Sequence, residues 1–204
     1  ITKREVIKAN QSATLHIGLT PSSVSIMSDY LVRFASKYSD IHFDIHEGST
    51  FALKNELENG LVDITTLRTP IVLNECNTCV LLQENLVAMA IPGFFDIEYT
   101  NISLKELSQK SLILSHRYRK YIISAFEDNG LTCDIYCECE DARTAITLAE
   151  HGLGVAILPS SMRELNPCLY AYSIKDTNLS TEILLAWRDE RIPIEVEKFL
   201  SELK

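Results

Sequence analysis

Apolar positions along the chain switch repeatedly between a period of two and a period of three to four. Leu15, Ile17 and Leu19 alternate with polar neighbours, which predicts a strand over 15–19. Thr20, Pro21, Ser22 and Ser23 come next, a composition suited to a turn and a helix start. Val24, Met27, Leu31, Phe34 and Tyr38 then recur at helical spacing, as one stripe of an amphipathic helix. Alternation returns in 41–48, with Ile41, Phe43 and Ile45 predicted to face inward. Ser49 and Thr50 open a second helix carrying Leu53 and Leu57, and Gly60 stops it. A third strand is predicted over 63–67.

The pattern starts afresh after the apolar run 86–92. Ser103 with Glu106 reads as a capping box on a short helix, 111–115 as a strand, and 120–128 as a helix ended by Asn129-Gly130. A strand over 133–139 precedes a helix capped by Asp141 and stopped by Gly152, and 154–159 reads as a buried strand. A strand over 181–187 and a helix over 193–203 close the chain. Strand–helix–strand repetition at this spacing implies right-handed crossovers and mostly parallel sheets. We therefore expect an α/β protein of two Rossmann-like lobes joined by two crossover strands. Lobe I is residues 13–85 plus 180–204, lobe II is 86–179, and 1–12 is the polar tail of a helix begun upstream. Such an arrangement makes a hinge and a cleft at the carboxyl ends of both sheets.

Composition narrows the function. A net charge of −9 with no basic stripe argues against a nucleic-acid surface on these 204 residues. No apolar run is long enough to span a bilayer and no signal-peptide pattern opens the chain, so the reading is cytoplasmic, with no membrane partner. Of six cysteines, Cys76 and Cys79 form a CxxC without a second pair to complete a zinc site. Cys133, Cys137 and Cys139 are separated by even numbers of residues on a predicted strand, which places them on one inward face as small apolar residues.

Five segments of the chain resemble a known family. HIGLTPSS, RFASKYSDIHFDIHEGST, NELENGLVDITTL, LQENLVAMAIP and DARTAITLAEHGLGVAILP, in this order, resemble the effector-binding domain of LysR-type transcription regulators. The likeness runs from about residue 14 to about residue 200; Ser39 stands where that family usually has proline. The resemblance implies a fold like that of type 2 periplasmic binding proteins. It also implies a winged helix-turn-helix and linker helix upstream of residue 13, through which alone DNA would be bound. Assembly would be a homodimer, and a tetramer for the full-length regulator. Ile26, Tyr30 and Val32 on the first helix would meet the 142–151 helix of a second copy.

Such a domain recognises a small-molecule effector and does no chemistry, so we expect no enzyme activity and no cofactor. Thr20, Ser22, Ser23, Ser49 and Thr50 lie where strands end and helices begin, suited to cap a helix and to contact a ligand. Arg68 comes directly after the third strand and can clamp a carboxylate or phosphate; His116 and Arg117 begin the densest basic run of the chain. Together they favour an organic anion as the effector. His42, Asp44 and His46 share a strand face in a pattern able to chelate a metal, although any half-exposed strand alternates this way, and no metal is assigned. Ser22 or Ser23 with His116 and Asp63 are the residue types of a hydrolytic triad, but no GxSxG elbow accompanies them. The alternative from another class is a periplasmic-type solute-binding protein serving transport.

Overall fold

The computed structural model describes residues 13–95, 100–175, 177–189 and 192–203. The helix tail expected over 1–12 lies outside the described residues. The chain divides into two compact units. One runs to Leu82 and resumes at Ile183; the other is Gln83–Glu182. The first boundary thus falls three residues before the expected 85/86, and the second three residues after the expected 179/180. Both β4 (Cys76–Ala90) and β10 (Ser180–Arg188) run through the boundary.

In the first unit, β1 (Ala13–Leu19) pairs in parallel with β2 (Ile41–Glu47) and with β3 (Ile64–Arg68), and β10 pairs antiparallel with β3. The order is β2-β1-β3-β10. Helix α1 (Val24–Lys37) covers one face together with α6 (Ile194–Ser201), burying Ile17, Met27, Phe34, Ile64, Leu185 and Phe199. The other face meets α2 (Thr50–Glu58) through Leu53, Leu57, Leu67 and Ala186. Gly18 permits that packing. A Cβ there would overlap Thr65 Oγ1 and stand 3.0 Å from Leu53. Ile45 departs from its expected inward place and is 46% exposed, because β2 is the edge strand with one neighbour.

In the second unit, β4, β8 (Val155–Pro159), β6 (Ser111–Ser115) and β7 (Asp134–Cys139) form the sheet in that order. β6 is parallel to both β7 and β8, and β4 is antiparallel to β8. The short strand β5 (Asn101–Ile102) pairs with β9 (Tyr170–Ile174), which also pairs with β4. Helices α3 (Leu104–Leu107) and α4 (Arg119–Asp128) lie on one core, containing Leu107, Leu112, Ile122 and Phe126. Helix α5 (Ala142–Glu150) lies on the other, with Ile113, Ala145, Ala149 and Leu158. The expected capping box is present: Ser103 Oγ accepts the Glu106 N–H while the Glu106 carboxylate accepts the Ser103 N–H. Asp141 accepts the Arg143 N–H at 2.7 Å. The Arg143 guanidinium, joined by that N–H, holds the Asp141 carboxyl below the usual range.

A second sequence expectation is also overturned. Cys133, Cys137 and Cys139 do not share a face. The register with β6 slips between Leu112 and Ile113, so Leu112 opposes Ile135 while Ile113 opposes Cys137. Tyr136 is the extra residue, 64% exposed, and the alternation inverts across it. Cys133 accordingly packs with the α4 core, and Cys137 and Cys139 with the α5 core. All six cysteines are free thiols, and burial pushes those of Cys133 and Cys139 up.

Candidate functional site

Three parallel strands of the first unit end side by side, and each opens into a polar segment. Carboxyl ends of parallel strands are where open α/β sheets bind ligands. Thr20–Ser23 lies after β1, Gly48–Thr50 after β2, and Arg68 ends β3. Thr20, Ser23, Thr50, Thr66 and Arg68 are all buried. Hydroxyls so enclosed must find partners. The Thr20 N–H donates to Thr66 Oγ1 at 3.0 Å, Thr20 Oγ1 donates to Ser23 Oγ at 3.1 Å, and Ser23 Oγ also meets Thr66 Oγ1. Thr50 Oγ1 accepts the Arg68 N–H at 3.2 Å, which ties the start of α2 to the end of β3. Arg68 Nε donates to Ser22 Oγ at 3.1 Å and so fixes the plane of the guanidinium.

Six of the eight residues expected from sequence therefore belong to the first unit, and five of them fall into two hydrogen-bonded groups, Thr20 with Ser23 and Arg68 with Ser22 and Thr50. Ser49 stands apart: it is exposed, and its Oγ accepts the Ala52 N–H at 3.3 Å as a helix cap. Ser22 and Ser23 differ from the expectation in the opposite sense. Neither hydroxyl caps α1; they turn instead to Arg68 and to Thr66. Thr66 escapes a reading of sequence for site residues, although two polar residues in the middle of DITTL signal buried hydroxyls in need of partners.

The basic run expected from the second unit is largely engaged. His116 Nδ1 and Glu138 Oε2 lie 3.1 Å apart, and Arg119 Nε donates to Glu138 Oε1 at 2.9 Å. The Arg119 bond, joined by His116, holds the Glu138 carboxyl below its ordinary range. Arg117 is half-buried in the turn between β6 and α4. A different polar group lies at the end of β8. Glu84, 9% exposed, accepts from Ser160 Oγ at 3.0 Å, from the Ser161 N–H at 2.6 Å and from Ser161 Oγ at 2.9 Å. Nothing in the local pattern of QENLV sets Glu84 apart from exposed Glu residues, so sequence reasoning misses it.

Asp63 is not brought to the strand ends where Ser22 and Ser23 lie. Asp63 precedes β3, at the end of the strand remote from Arg68, and its Oδ2 accepts the His16 N–H at 2.9 Å. His116 belongs to the other unit.

This is the build of a ligand-binding domain of two α/β units, each doubly covered by helices, with buried polar groups at strand ends. The LysR substrate binding domain family matches residues 8–204, and the chain belongs to it. A curated relative, the HTH-type transcriptional regulator CatR of Pseudomonas putida, is 24% identical over 96% of this chain, which spans 69% of that protein. Among solved structures, the effector binding domain of QuiR in complex with shikimate superposes with TM-score 0.84 at 18% identity, covering 94% of this chain and 95% of that one. The BenM effector binding domain with benzoate gives 0.80 at 17%, covering 94% and 90%. The fold is thus of the type 2 periplasmic-binding-protein kind. No described helix is long and apolar enough to cross a membrane.

Proposed function

We propose that this domain senses a small organic acid in the cytoplasm, performs no catalysis, and controls transcription through a helix-turn-helix region of its regulator. One observation carries the reading: Arg68 is 3% exposed, ends β3, the parallel strand beside β1, and is oriented by Ser22, while the hydroxyls of Thr20, Ser23 and Thr66 join at the ends of β1 and β3. Arginine is seldom buried, and its planar fork matches a carboxylate in two parallel hydrogen bonds. Small hydroxyls beside it suit a ligand that carries further oxygen atoms. The structures of QuiR with shikimate and BenM with benzoate, both carboxylates, support the same ligand class. The match to a helix-turn-helix regulator favours a regulatory role over solute transport.

Effector occupancy acts by preferring one of two conformational states of the domain, with the preference set by its differential affinity. Assembly of a homodimer would use the outer face of α1, where Val32 is 66% exposed beside Ile26 and Tyr30.

A thermal-shift titration with shikimate, benzoate and uncharged analogues tests the reading. A carboxylate that binds the native state raises the melting temperature with concentration, and Arg68→Ala abolishes the rise while Arg68→Lys keeps part of it. Arg117→Ala, measured in the same way, tests the basic loop of the second unit. A response confined to uncharged compounds, or one indifferent to Arg68→Ala, removes the anion reading.

A further inference from the structure

The first turn of α4 is fastened to the segment that leads into β10. Tyr121 Oη donates to the Asn178 carbonyl at 2.8 Å and accepts the Ser180 N–H at 3.1 Å, so one phenol closes on both sides of Leu179. Tyr118, three residues earlier and 3% exposed, places its hydroxyl 3.4 Å from Thr181 Oγ1, which is buried too. Residues three apart at a helix start share one side of it, so the two rings reach neighbouring residues of one segment. Leu179 completes the fastening. Its side chain lies in the α4 core, and its carbonyl accepts the Leu86 N–H at 2.7 Å. Asn178, Leu179, Ser180 and Thr181 are thereby all held just before β10 takes up its pairing with β3.

That pairing brings the clasp next to Arg68 along the chain. Ile183 opposes Arg68, and the residues from Leu184 to Trp187 oppose Leu67 back to Ile64. Arg68 thus stands on the last pair of the ladder, where a strand pair frays most readily. Only Glu182 separates Ile183 from the clasped Thr181. We propose that Tyr121 is a positioning residue for effector recognition, holding the end of β10 against which the Arg68 backbone is set; the inference rests on the reading of Arg68 as the carboxylate contact. The single O–H of Tyr121 is spent on Asn178, so the residue acts through β10 and not through a bond donated to the ligand. A phenylalanine in its place keeps the ring that packs against the α4 core but leaves the Ser180 N–H without this acceptor. The end of the ladder then opens more often. A guanidinium grips a carboxylate in two parallel bonds only while its plane is held, and Ser22 can hold that plane only if the strand beneath Arg68 stays in place. Coupling of this kind is reciprocal: a ligand that steadies Arg68 steadies the end of β10 by the same free energy.

The test compares Tyr121→Phe with Ile122→Val, which trims a buried residue of the same helix and core and makes none of the bonds to 178–181. Hydrogen exchange followed by mass spectrometry is read first, on the chain without ligand. In peptides covering 178–183 and 64–68, Tyr121→Phe should speed exchange roughly five-fold more than Ile122→Val does. Calorimetry with benzoate and with shikimate then reads the consequence. Tyr121→Phe should weaken whichever carboxylate binds roughly five-fold or more, and Ile122→Val less than about two-fold. The bound carboxylate should also slow exchange over 178–183, and should do so less in Tyr121→Phe. A tyrosine that only adds stability lowers the unfolding midpoint and leaves the carboxylate affinity alone. Exchange over 64–68 that rises no more in Tyr121→Phe than in Ile122→Val overturns the proposal, as does faster exchange with unchanged affinity. If neither carboxylate binds the unaltered chain, the reading of Arg68 as a carboxylate contact falls and takes the ligand part of the proposal with it. Exchange over 64–68 then shows separately whether Tyr121 holds that strand.

Discussion

The two units place a charged side chain at their strand ends in opposite ways. In the first unit the charge is positive: Arg68 ends β3, and its Nε donates to the neutral hydroxyl of Ser22, while Thr20, Ser23 and Thr66 form a separate net. In the second it is negative: Glu84 on β4 gathers one N–H and two hydroxyls from Ser160 and Ser161 at the start of the 3-10 turn Ser160–Leu165. A carboxylate receiving short bonds from both residues that open a turn is an anchor, and those donors are consumed in holding it. A guanidinium has five donors in a fixed plane, and Nε on Ser22 orients the whole fork. The difference teaches that burial of a charge does not by itself mark a ligand contact. The proposed anion site rests instead on the sign of the charge and on its place at the end of a parallel strand.

Substitutions break this contrast at several points. Glu84→Ala should have the largest effect, lowering stability by about 3 kcal/mol in urea unfolding, because three donors on Ser160 and Ser161 lose their acceptor. It should leave the selectivity among carboxylates unchanged; altered selectivity would make Glu84 a ligand residue. Thr66→Val removes the hydroxyl shared by Thr20 and Ser23 and should cost about 2 kcal/mol by the same measurement, since the Thr20 N–H is left without its acceptor. Ser22→Ala should cost about 1 kcal/mol or less in stability. It should nevertheless weaken carboxylate binding more than Thr66→Val does, measured by calorimetry, because Ser22 orients Arg68. Equal effects of the two on binding would mean that the hydroxyl net acts as a whole.

The smallest effect concerns the second unit's surface. Arg119, with His116, depresses the Glu138 carboxyl, so the pair stabilises the fold at neutral pH and that support is lost as pH falls through the carboxylate range below about 4. Both partners are solvated, and Arg119→Ala should shift the acid-unfolding midpoint only slightly.

Much of the architecture is legible because each element carries its own punctuation. Ser103 with Glu106, Asp141, and the glycine stops at Gly60 and Gly152, both with positive φ, mark helices to within a residue or two. The first half of β4 is not legible. Its residues from Cys76 to Asn85 are mostly exposed or half-buried, with only Glu84 enclosed, so no face is written in apolar residues. β5 has two residues and β9 has one buried, Tyr172, too little for a period to declare itself. In the site, Ser22 and Arg68 are visible as residue types at strand ends. The link between them, and the anchoring of Glu84, arise from separations of 46 and 76 residues and have no local trace.

The first unit is discontinuous in sequence, and this has a bearing on its synthesis. Gln83–Glu182 is one uninterrupted stretch, whereas β3 waits for its antiparallel neighbour until Ile183–Trp187 has been made. At a translation rate of about 5 to 20 residues per second, those roughly hundred intervening residues delay the last strand by about 5 to 20 s. During that interval on the ribosome, β3 has an open edge, and Leu185, Val196 and Phe199 are missing from the core around Ile17 and Phe34. The later-encoded unit is therefore the one able to mature first, and nascent-chain chaperones would meet the earlier one unfinished.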